Sequence, residues 1–303
     1  ADLQDLYGVA AQRIVCDAHP AYTTHRWAQR QDLPVESVWH HAAHASAVAA
    51  ELGSDERQLV FTWDGVGLGE DGTLWGGEAL LGRPGNWQRV CSLRTFRLPG
   101  GDKAGREPWR SAAAMNWACD KQWAGCPDTN GLAYGAWQKN LNCVETSAAG
   151  RIFDAAAAMV LGKTHVSFEA EGPMRLEALC QEPAAPVGMP LERDESGTWR
   201  ADWRPLLRML SDATRSQASR AEIFHSSMAH LVLEQSRMIR EEHGVGVVGL
   251  SGGVFQNRVL TDQVIELLRS DGFEVLLPSI LPVNAAGQSF GQAAEMAAND
   301  NRD

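Results

Sequence analysis

The sequence predicts an α/β protein in which strands alternate with helices. An apolar strand pattern precedes an alanine-rich helix near the start, glycine-rich turns follow two later strand patterns, and the last part of the chain runs strand, helix, strand, helix. This alternation is typical of layered α/β folds. With 303 residues, the chain can form one large domain or two lobes with a substantial core.

The elements follow from hydrophobic periodicity and from residues that start or stop helices. We expect strands in QRIVCDAH, QLVFTWD, LWGGEALLG, GVGVVGLS and FEVLLP, which are residues 12–19, 58–64, 74–82, 244–251 and 273–278. We expect helices at 38–53, 149–162, 221–242, 257–272 and 285–298, and one entered at the end of the polar segment 189–210.

We divide the chain into the remainder of a first lobe, residues 1–82, and a second lobe, residues 83–303. The segment at about 83–142 is rich in Trp, Gly, Pro and Asn and shows fewer clean periods. Such composition is typical of turns and irregular structure. We therefore expect an insertion there, with PGGDKAGREPWR as a loop.

Charge and composition disfavour several classes of protein. The net charge is −11, whereas nucleic-acid surfaces need clustered Lys and Arg, so we expect no DNA partner. No apolar run reaches the roughly eighteen residues of a membrane span, and residues 1–20 lack a signal-peptide pattern. The six cysteines form no CxxC pair, which predicts free thiols in a cytoplasmic protein. The chain opens without Met and in mid-helix, which indicates the C-terminal part of a longer protein.

Three of the nine histidines lie in one segment, VWHHAAHASAVAAELG. On a helix, His40 and His44 leave the same face, and this spacing lets one helix give two nitrogen ligands to a metal. His41 points about 100° away from that face. A solvated helix face is the alternative explanation, and HxxxH alone does not decide between the two.

A metal needs further ligands, and Asp64 ends the strand LVFTWD, where a carboxylate would emerge at a lobe edge. Glycines follow it at 65, 67 and 69, and SGGVFQN at 251–257 repeats the order of strand, small-residue turn and helix. Such turns bring backbone N–H groups close to phosphates. Each turn alone is common in α/β proteins, but together they predict a nucleotide cleft between two lobes.

Six segments occur in the order found in one family: VCDAHPAYTTHRWA, VWHHAAH, FTWDGVGLGEDGTLWGGE, LPGGDKAGREPWR, TSAAGRIFDAAAAMVLG and GLSGGVFQNRVL. They resemble the C-terminal domain of the hydrogenase-maturation carbamoyltransferases, the HypF family, over almost the whole chain. The resemblance implies the two-lobed, actin-like ATPase (ASKHA) fold that this domain shares with the tRNA threonylcarbamoyl-transferase domain, here without its first strands.

The resemblance also implies a carbamoyl transfer. Carbamoyl-adenylate from an adenylate-forming domain, of the same or another chain, is received here, and the carbamoyl group passes to the C-terminal cysteine of a HypE-type dehydratase. Dehydration on that partner gives the cyanide ligand of nickel–iron hydrogenase. The implied cofactors are a divalent metal, zinc or iron, and ATP or AMP as carbamoyl-adenylate.

Carried over residue by residue, the resemblance implies two sets of binding residues and one group near the reacting atoms. The metal ligands are His40, His44 and Asp64, and His41 faces the carbamoyl group. The nucleotide-binding residues are Gly65, Gly67, Gly150, Asp154, Glu169, Gly252, Gly253 and Asn257. Among them, Asp154 is suited to bind the ribose hydroxyls.

Other residues admit two explanations. Arg106 and Arg110 would grip an anionic substrate as catalytic residues, or they belong to a helix start with Pro108 in its first turn. His225 and His230 are expected to be partly exposed helix residues rather than ligands.

The sequence departs from the family at two places. The family usually ends with an NDGG turn whose Asp binds the metal, and Ala285 stands there in PVNAAGQ. The family loop YEGQAA is FEAEGP, which keeps Glu169 but has Ala170 and Glu171 in place of Gly and Gln. Two alternatives therefore stand beside the carbamoyltransferase: a degenerate paralogue that binds nucleotide or a partner without turnover, and a tRNA threonylcarbamoyl transferase, which the charge of −11 disfavours.

Overall fold

The computed structural model describes residues 2–54 and 56–300. The strands are β1 Ile14–Asp17, β2 Val35–Val38, β3 Gln58–Leu68, β4 Leu74–Arg83, β5 Asn86–Leu93, β6 Phe96–Pro99, β7 Cys143–Thr146, β8 Leu191–Arg193, β9 Trp199–Ala201, β10 Val247–Ser251 and β11 Glu274–Leu276. The helices are α1 Asp2–Tyr7, α2 Thr23–Ala28, α3 His40–Glu51, α4 Trp109–Trp117, α5 Leu132–Gln138, α6 Ala149–Leu161, α7 Glu171–Glu177, α8 Arg204–Leu210, α9 Gln217–His243, α10 Arg258–Ser270 and α11 Gln288–Asp300.

Two sheets organise the described part of the chain. β1 and β2 form a small parallel sheet, and nine strands form a large mixed sheet with the main order β11-β10-β3-β4-β5-β9-β8, to which β6 and β7 attach. In the large sheet β10 runs parallel to both β3 and β11. The carboxyl end of β10, Ser251, therefore lies beside Thr62 of β3, two residues before Asp64, and the carboxyl ends of parallel strands are where α/β sheets commonly place ligands.

Helices cover both faces of the large sheet because β3 is apolar on both faces. Phe61 and Trp63 point into the main core with α6 and α9, while Val60 belongs to a second cluster with Ala45 and Val48 of α3. Side chains alternate along a strand, so Asp64 shares the Val60 side. The strand thus aims the Asp64 carboxylate toward α3.

Close packing fixes α3 in place. It contacts β3, β4 and β10 on one side and α11 on the other. A Cβ at Gly291 of α11 would lie 1.9 Å from the Ala43 carbonyl oxygen, so only glycine allows the two helix backbones to approach this closely. The histidine helix is therefore held between the sheet and the last helix.

The helix limits follow from their terminal residues. The Ser216 side chain accepts a hydrogen bond from the Ser219 N–H at the start of α9, and Gly244 ends that helix with φ 71°. The Asn257 side chain likewise accepts from the Leu260 N–H at the start of α10. Side-chain caps and left-handed glycines satisfy backbone groups that a helix leaves unpaired at its ends.

Two expectations about local structure are corrected. The glycine-rich stretch after Asp64 is part of β3, which continues to Leu68 with an irregular register between Trp63 and Gly67. The segment 83–142 is more regular than expected, because it contains β5, β6, α4 and α5. Its tryptophans pack against one another, with Trp109 and Trp117 buried beside Trp137, and this clustering hides the usual periodicity.

The predicted lobe boundary at residue 82 lies at the end of β4, next to the turn that connects β4 to β5 in the large sheet. These strands pair directly, with Gly82 opposite Trp87 and Arg83 opposite Asn86, so strands assigned to both lobes belong to one sheet. The division into 1–82 and 83–303 stays a prediction. Among the helices in residues 2–54 and 56–300, none has the length and apolar character that a membrane span requires.

Candidate functional site

Three predicted ligands converge where the parallel pairing of β3 with β10 ends, at the irregular part of β3. Nε2 of His44 lies 3.1 Å from Oδ2 of Asp64, and Nε2 of His40 lies 3.4 Å from the same oxygen. One potential ligand atom from each residue falls within 4.8 Å of the others. The helical period brings the two imidazoles to one face, and the strand period brings the carboxylate to meet them.

The second ring nitrogen of His40 and of His44, Nδ1, also has a hydrogen-bond partner. Nδ1 of His40 lies 2.7 Å from Oδ2 of Asp17, at the end of β1, and Nδ1 of His44 lies 3.2 Å from Oγ of Ser251, at the end of β10. A carboxylate or hydroxyl behind a histidine fixes the ring orientation and leaves Nε2 directed into the site, as in histidine–metal centres.

Charge in this cluster is distributed unevenly. Burial alone would lower the pKa of His40, but hydrogen bonds with Asp17 and Asp64 raise it to about 9. Burial lowers the pKa of His44 despite its hydrogen bond with Asp64. Burial opposes ionisation of Asp64, yet His40 and His44 hold the pKa of its carboxyl well below its usual range. Two imidazoles directed at one carboxylate thus form a local environment that favours a cation.

His41 does not join these three residues. Its ring is 1% exposed and lies 5.8 Å from the Trp75 ring, and both ring nitrogens are without hydrogen-bond partners among residues 2–54 and 56–300. Burial, with the charges of His40 and His44, lowers the pKa of His41 well below its usual value. The structure therefore places a neutral imidazole behind the cluster, and its role toward a carbamoyl group stays a prediction.

A cavity of about 640 Å³ opens beside Asp64. Its size lies within the range of small-molecule and cofactor sites. Six of the eight predicted nucleotide-binding residues line it: Gly65, Gly150, Asp154, Glu169, Gly253 and Asn257. A more open groove of about 1270 Å³ lies near α8 and residues 184–187, and no predicted site residue lines it.

The wall formed by α6 carries an ion-pair chain. Nη1 of Arg151 lies 3.0 Å from Oδ2 of Asp154, and its Nη2 lies 3.0 Å from Oε1 of Glu169. Burial raises the pKa of Asp154 to about 6, although the Arg151 charge opposes this shift. Arg151, which the sequence did not single out, thus places a guanidinium at the cavity wall that is already paired with two carboxylates.

Gly67 and Gly252, predicted near the phosphates, do not line this cavity. A Cβ at Gly67 would lie 2.6 Å from ring atoms of both His40 and His41. Gly252 has φ 98°, a left-handed backbone that favours glycine, and a Cβ there would lie 2.2 Å from the Trp63 carbonyl oxygen. Both glycines allow neighbouring segments to approach closely, and their contact with phosphate stays a prediction.

Arg106 and Arg110 do not line the cavity either. Arg106 is exposed, and Arg110 pairs with Glu107 at 2.6 Å while its guanidinium stacks over Trp109. α4 begins at Trp109, directly after Pro108. The contacts of Arg110 thus fit a helix start, and the catalytic role of both arginines stays a prediction.

The two departures from the family pattern lie at the cavity rim. Asn284, Ala285 and Ala286 line the cavity together with Asp64. Ala170 has φ 66°, so it occupies a left-handed conformation where the family has glycine. Glu171 pairs with Lys163 and Arg175, which gives that carboxylate a structural role.

Sequence reasoning missed Asp17, Arg151 and Ser251. Asp17 lies in VCDAHPAY and Arg151 in GRIFD, segments that were recognised as whole motifs. Only the fold shows that Asp17 and Ser251 support the histidines from behind.

Comparison with known proteins gives consistent matches. Residues 60–292 match the family described as carbamoyltransferase, Kae1-like domain, second subdomain, and residues 1–51 match the HypF Kae1-like domain. The chain is 35% identical to carbamoyltransferase HypF of Synechocystis sp. over 96% of its own length and 41% of that protein. It is 34% identical to a carbamoyltransferase HypF homolog of Cupriavidus necator, with 93% and 77% of the two chains covered.

Two solved structures are similar. Full-length HypF in its phosphate- and nucleotide-bound form superposes with a TM-score of 0.92 at 29% identity, over 98% of this chain and 40% of that one. HypF of T. kodakarensis superposes with a TM-score of 0.81 at 25% identity, over 96% and 42% of the two chains. These matches confirm the α/β fold of the actin-like ATPase class.

Proposed function

The chain belongs to the HypF carbamoyltransferase family. We propose that it transfers a carbamoyl group from carbamoyl-adenylate to the C-terminal cysteine of a hydrogenase-maturation partner of the HypE type. The chain spans only 41% of the Synechocystis relative, and we propose that an adenylate-forming domain of the same or another chain supplies the adenylate. The observation that carries the proposal is the cluster of His40, His44 and Asp64 at the mouth of a glycine-lined cavity.

The donor set of the cluster fits a divalent ion. Two imidazole Nε2 atoms and one carboxylate are ligands that suit zinc or iron alike, and Asp17 and Ser251 hold both rings in the required orientation. A divalent ion held there would polarise a phosphate or carbamoyl oxygen.

The cavity accounts for the nucleotide. The similar HypF structure is described as phosphate- and nucleotide-bound, and the cavity here lies between Asp64 of β3 and the start of α10. Gly65 and Gly253 line its wall without a side chain, whereas a Cβ at Gly150 would lie 2.8 Å from Cα of Gly65, so Gly150 lets α6 approach β3. Arg151 lies in the wall, paired with Asp154 and Glu169, and Asp154 lines the cavity, where its carboxylate would accept hydrogen bonds from the ribose hydroxyls.

The residues of this chain then act mainly by binding and orientation. Holding the adenylate fixed beside the incoming thiolate lowers the entropic part of the barrier. AMP leaves as the thiolate sulfur bonds to the carbamoyl carbon, and its negative charge would be stabilised by the divalent ion. We place the reaction in the cytoplasm, where the six cysteines, all free in the structure, remain reduced.

The two alternatives have less support. A tRNA-modifying activity conflicts with the net charge of −11. A degenerate paralogue would follow from Ala285, but the described residues retain three potential ligands and a formed cavity.

A transfer assay tests the proposal. The chain is mixed with carbamoyl-adenylate and the dehydratase partner, and intact-mass spectrometry follows the partner. We expect a gain of one carbamoyl group on the terminal cysteine, and no gain when that cysteine is replaced by serine. No gain with the unchanged partner, under conditions in which a full-length HypF modifies it, would overturn the proposal.

We predict that Gly253→Val abolishes ATP binding. Gly253 lines the cavity and a Cβ there would lie 3.0 Å from Oδ1 of Asp64, so we expect the valine side chain to crowd the space that we propose for the phosphates. Gly246→Val is the matched control, because a Cβ there meets nothing within 4 Å. Isothermal titration with ATP should show binding by Gly246→Val and none by Gly253→Val. Equal affinities would place the nucleotide elsewhere.

A further inference from the structure

His225, in the middle of α9, is more deeply buried than the sequence indicated. We expected a partly exposed residue, but the exposed fraction of His225 is 0%. The residue is buried because α9 packs against α6, α7 and α10. The ring lies among apolar groups, with the Phe153 ring 5.6 Å away. Both of its nitrogens nevertheless have polar partners.

Two backbone groups fix the direction of this hydrogen-bond chain. Nδ1 of His225 lies 2.8 Å from the Ala221 carbonyl oxygen, which can only accept, so Nδ1 carries the proton. At the other end, Oδ1 of Asn257 accepts from the Leu260 N–H at 2.9 Å, and a backbone N–H can only donate. The oxygen of the Asn257 amide is therefore identified, and its nitrogen faces His225.

The contact between the two side chains follows from these ends. Nδ2 of Asn257 lies 2.9 Å from Nε2 of His225. Since Nδ1 holds the proton of a neutral ring, Nε2 accepts and Nδ2 donates. One N–H of the amide is thus used, and the second remains available to the cavity that Asn257 lines.

We propose that His225 is a positioning residue that holds the Asn257 amide with one N–H directed at an acceptor atom of the bound nucleotide. This inference rests on the proposed nucleotide site and extends it to a side chain that does not line the cavity. Without Nε2 of His225 as an acceptor, Nδ2 of Asn257 would lose the hydrogen bond that fixes the orientation of the amide.

The environment keeps His225 in the required form. Burial lowers its pKa to about 4, although the hydrogen bond to Ala221 opposes this shift. The ring therefore stays neutral at neutral pH, and Nε2 remains an acceptor. Cys180, whose Sγ lies 3.4 Å from Nδ1, cannot donate to that nitrogen while it carries a proton.

A set of variants in the full chain tests the inference, with ATP as the probe. His225→Leu removes the acceptor at similar volume, and we expect ATP affinity to fall roughly five- to tenfold, the range of one hydrogen bond. His225→Gln can present an acceptor oxygen and should recover most of the affinity. His230→Leu is the matched control, because His230 makes the same bond to a carbonyl one turn back, Nδ1 to Ser226 at 2.9 Å, but has no bond to Asn257.

A double-mutant cycle separates positioning from general structure. Asn257→Asp keeps an oxygen for the Leu260 N–H and removes the amide N–H groups. If His225 acts through Asn257, adding His225→Leu to Asn257→Asp weakens ATP binding no further. Additive losses, or equal ATP affinity in His225→Leu and His230→Leu, would overturn the positioning role. Absence of ATP binding by the unchanged chain would instead overturn the nucleotide site itself.

Nitrogen NMR on the unchanged chain decides the case even if His225→Leu does not fold. The expected signature is a proton on Nδ1 and an unprotonated Nε2 whose resonance shifts when ATP is added. A proton on Nε2 in the ATP-bound chain would contradict the inferred direction of the hydrogen-bond chain.

Discussion

Purified His44→Ala will bind no zinc at concentrations that saturate the unchanged chain. Nε2 of His44 lies 3.1 Å from the Asp64 carboxylate, so the substitution leaves His40 and Asp64 as the remaining potential ligands of the cluster. Even changes behind the ligands typically cost about 10- to 100-fold in metal affinity, and loss of a ligand should exceed this. Metal analysis after dialysis, followed by titration of the apo-protein, measures the effect.

Two further variants show whether the loss is specific. His41→Ala should retain the ion, because the His41 ring packs against Trp75 instead of facing Asp64. Asp17→Asn should weaken binding by an intermediate amount, about 10- to 100-fold, because Asp17 holds Nδ1 of His40 at 2.7 Å. Equal metal content in His44→Ala and the unchanged chain would mean that the cluster does not bind metal.

Much of the fold could be predicted where one periodicity dominates. α9 and α10 were found because apolar residues recur at helical spacing and because Gly244 and Gly272 follow them. β5 was missed, and α4 was predicted only as one of two explanations of Arg106 and Arg110. The side chains of α4 pack into aromatic and small-residue contacts, as Trp109 does, so the local pattern there reflects tertiary packing more than secondary structure.

The candidate site divides along similar lines. His40 and His44 could be paired from the helical period alone, and Asp64 from its place at the end of a strand. The partner of His44, Ser251, is 207 residues away in sequence, and no local pattern indicates such a contact. The family resemblance assigned Gly67 and Gly252 to the nucleotide. In the structure, two histidine rings and the Trp63 carbonyl oxygen lie too close to allow a side chain at these positions, which explains both glycines without a ligand.

The second large effect is expected at the cavity rim, where Ala285→Asp should raise metal affinity about 10- to 100-fold. Ala285 is exposed and lines the same cavity as Asp64. Its loop is held in place, because the Val283 carbonyl accepts from the Gly252 N–H at 2.8 Å and the Asn284 side chain accepts from the Ala286 N–H at 3.0 Å. We expect a carboxylate introduced at 285 to add a fourth potential ligand.

Ala286→Asp provides the matched control, because Ala286 is the next residue, is also exposed and lines the same cavity. Both variants add one negative charge, so a general electrostatic gain would appear in both. A gain confined to Ala285→Asp in zinc or ferrous-ion titration would show that position 285 faces the ion. Equal gains in metal affinity in both variants would mean that the added negative charge alone explains the gain.

An unchanged metal affinity would mean that position 285 does not face the ion. Asn284→Ala would then test the neighbouring amide, which is the nearest alternative ligand on this loop.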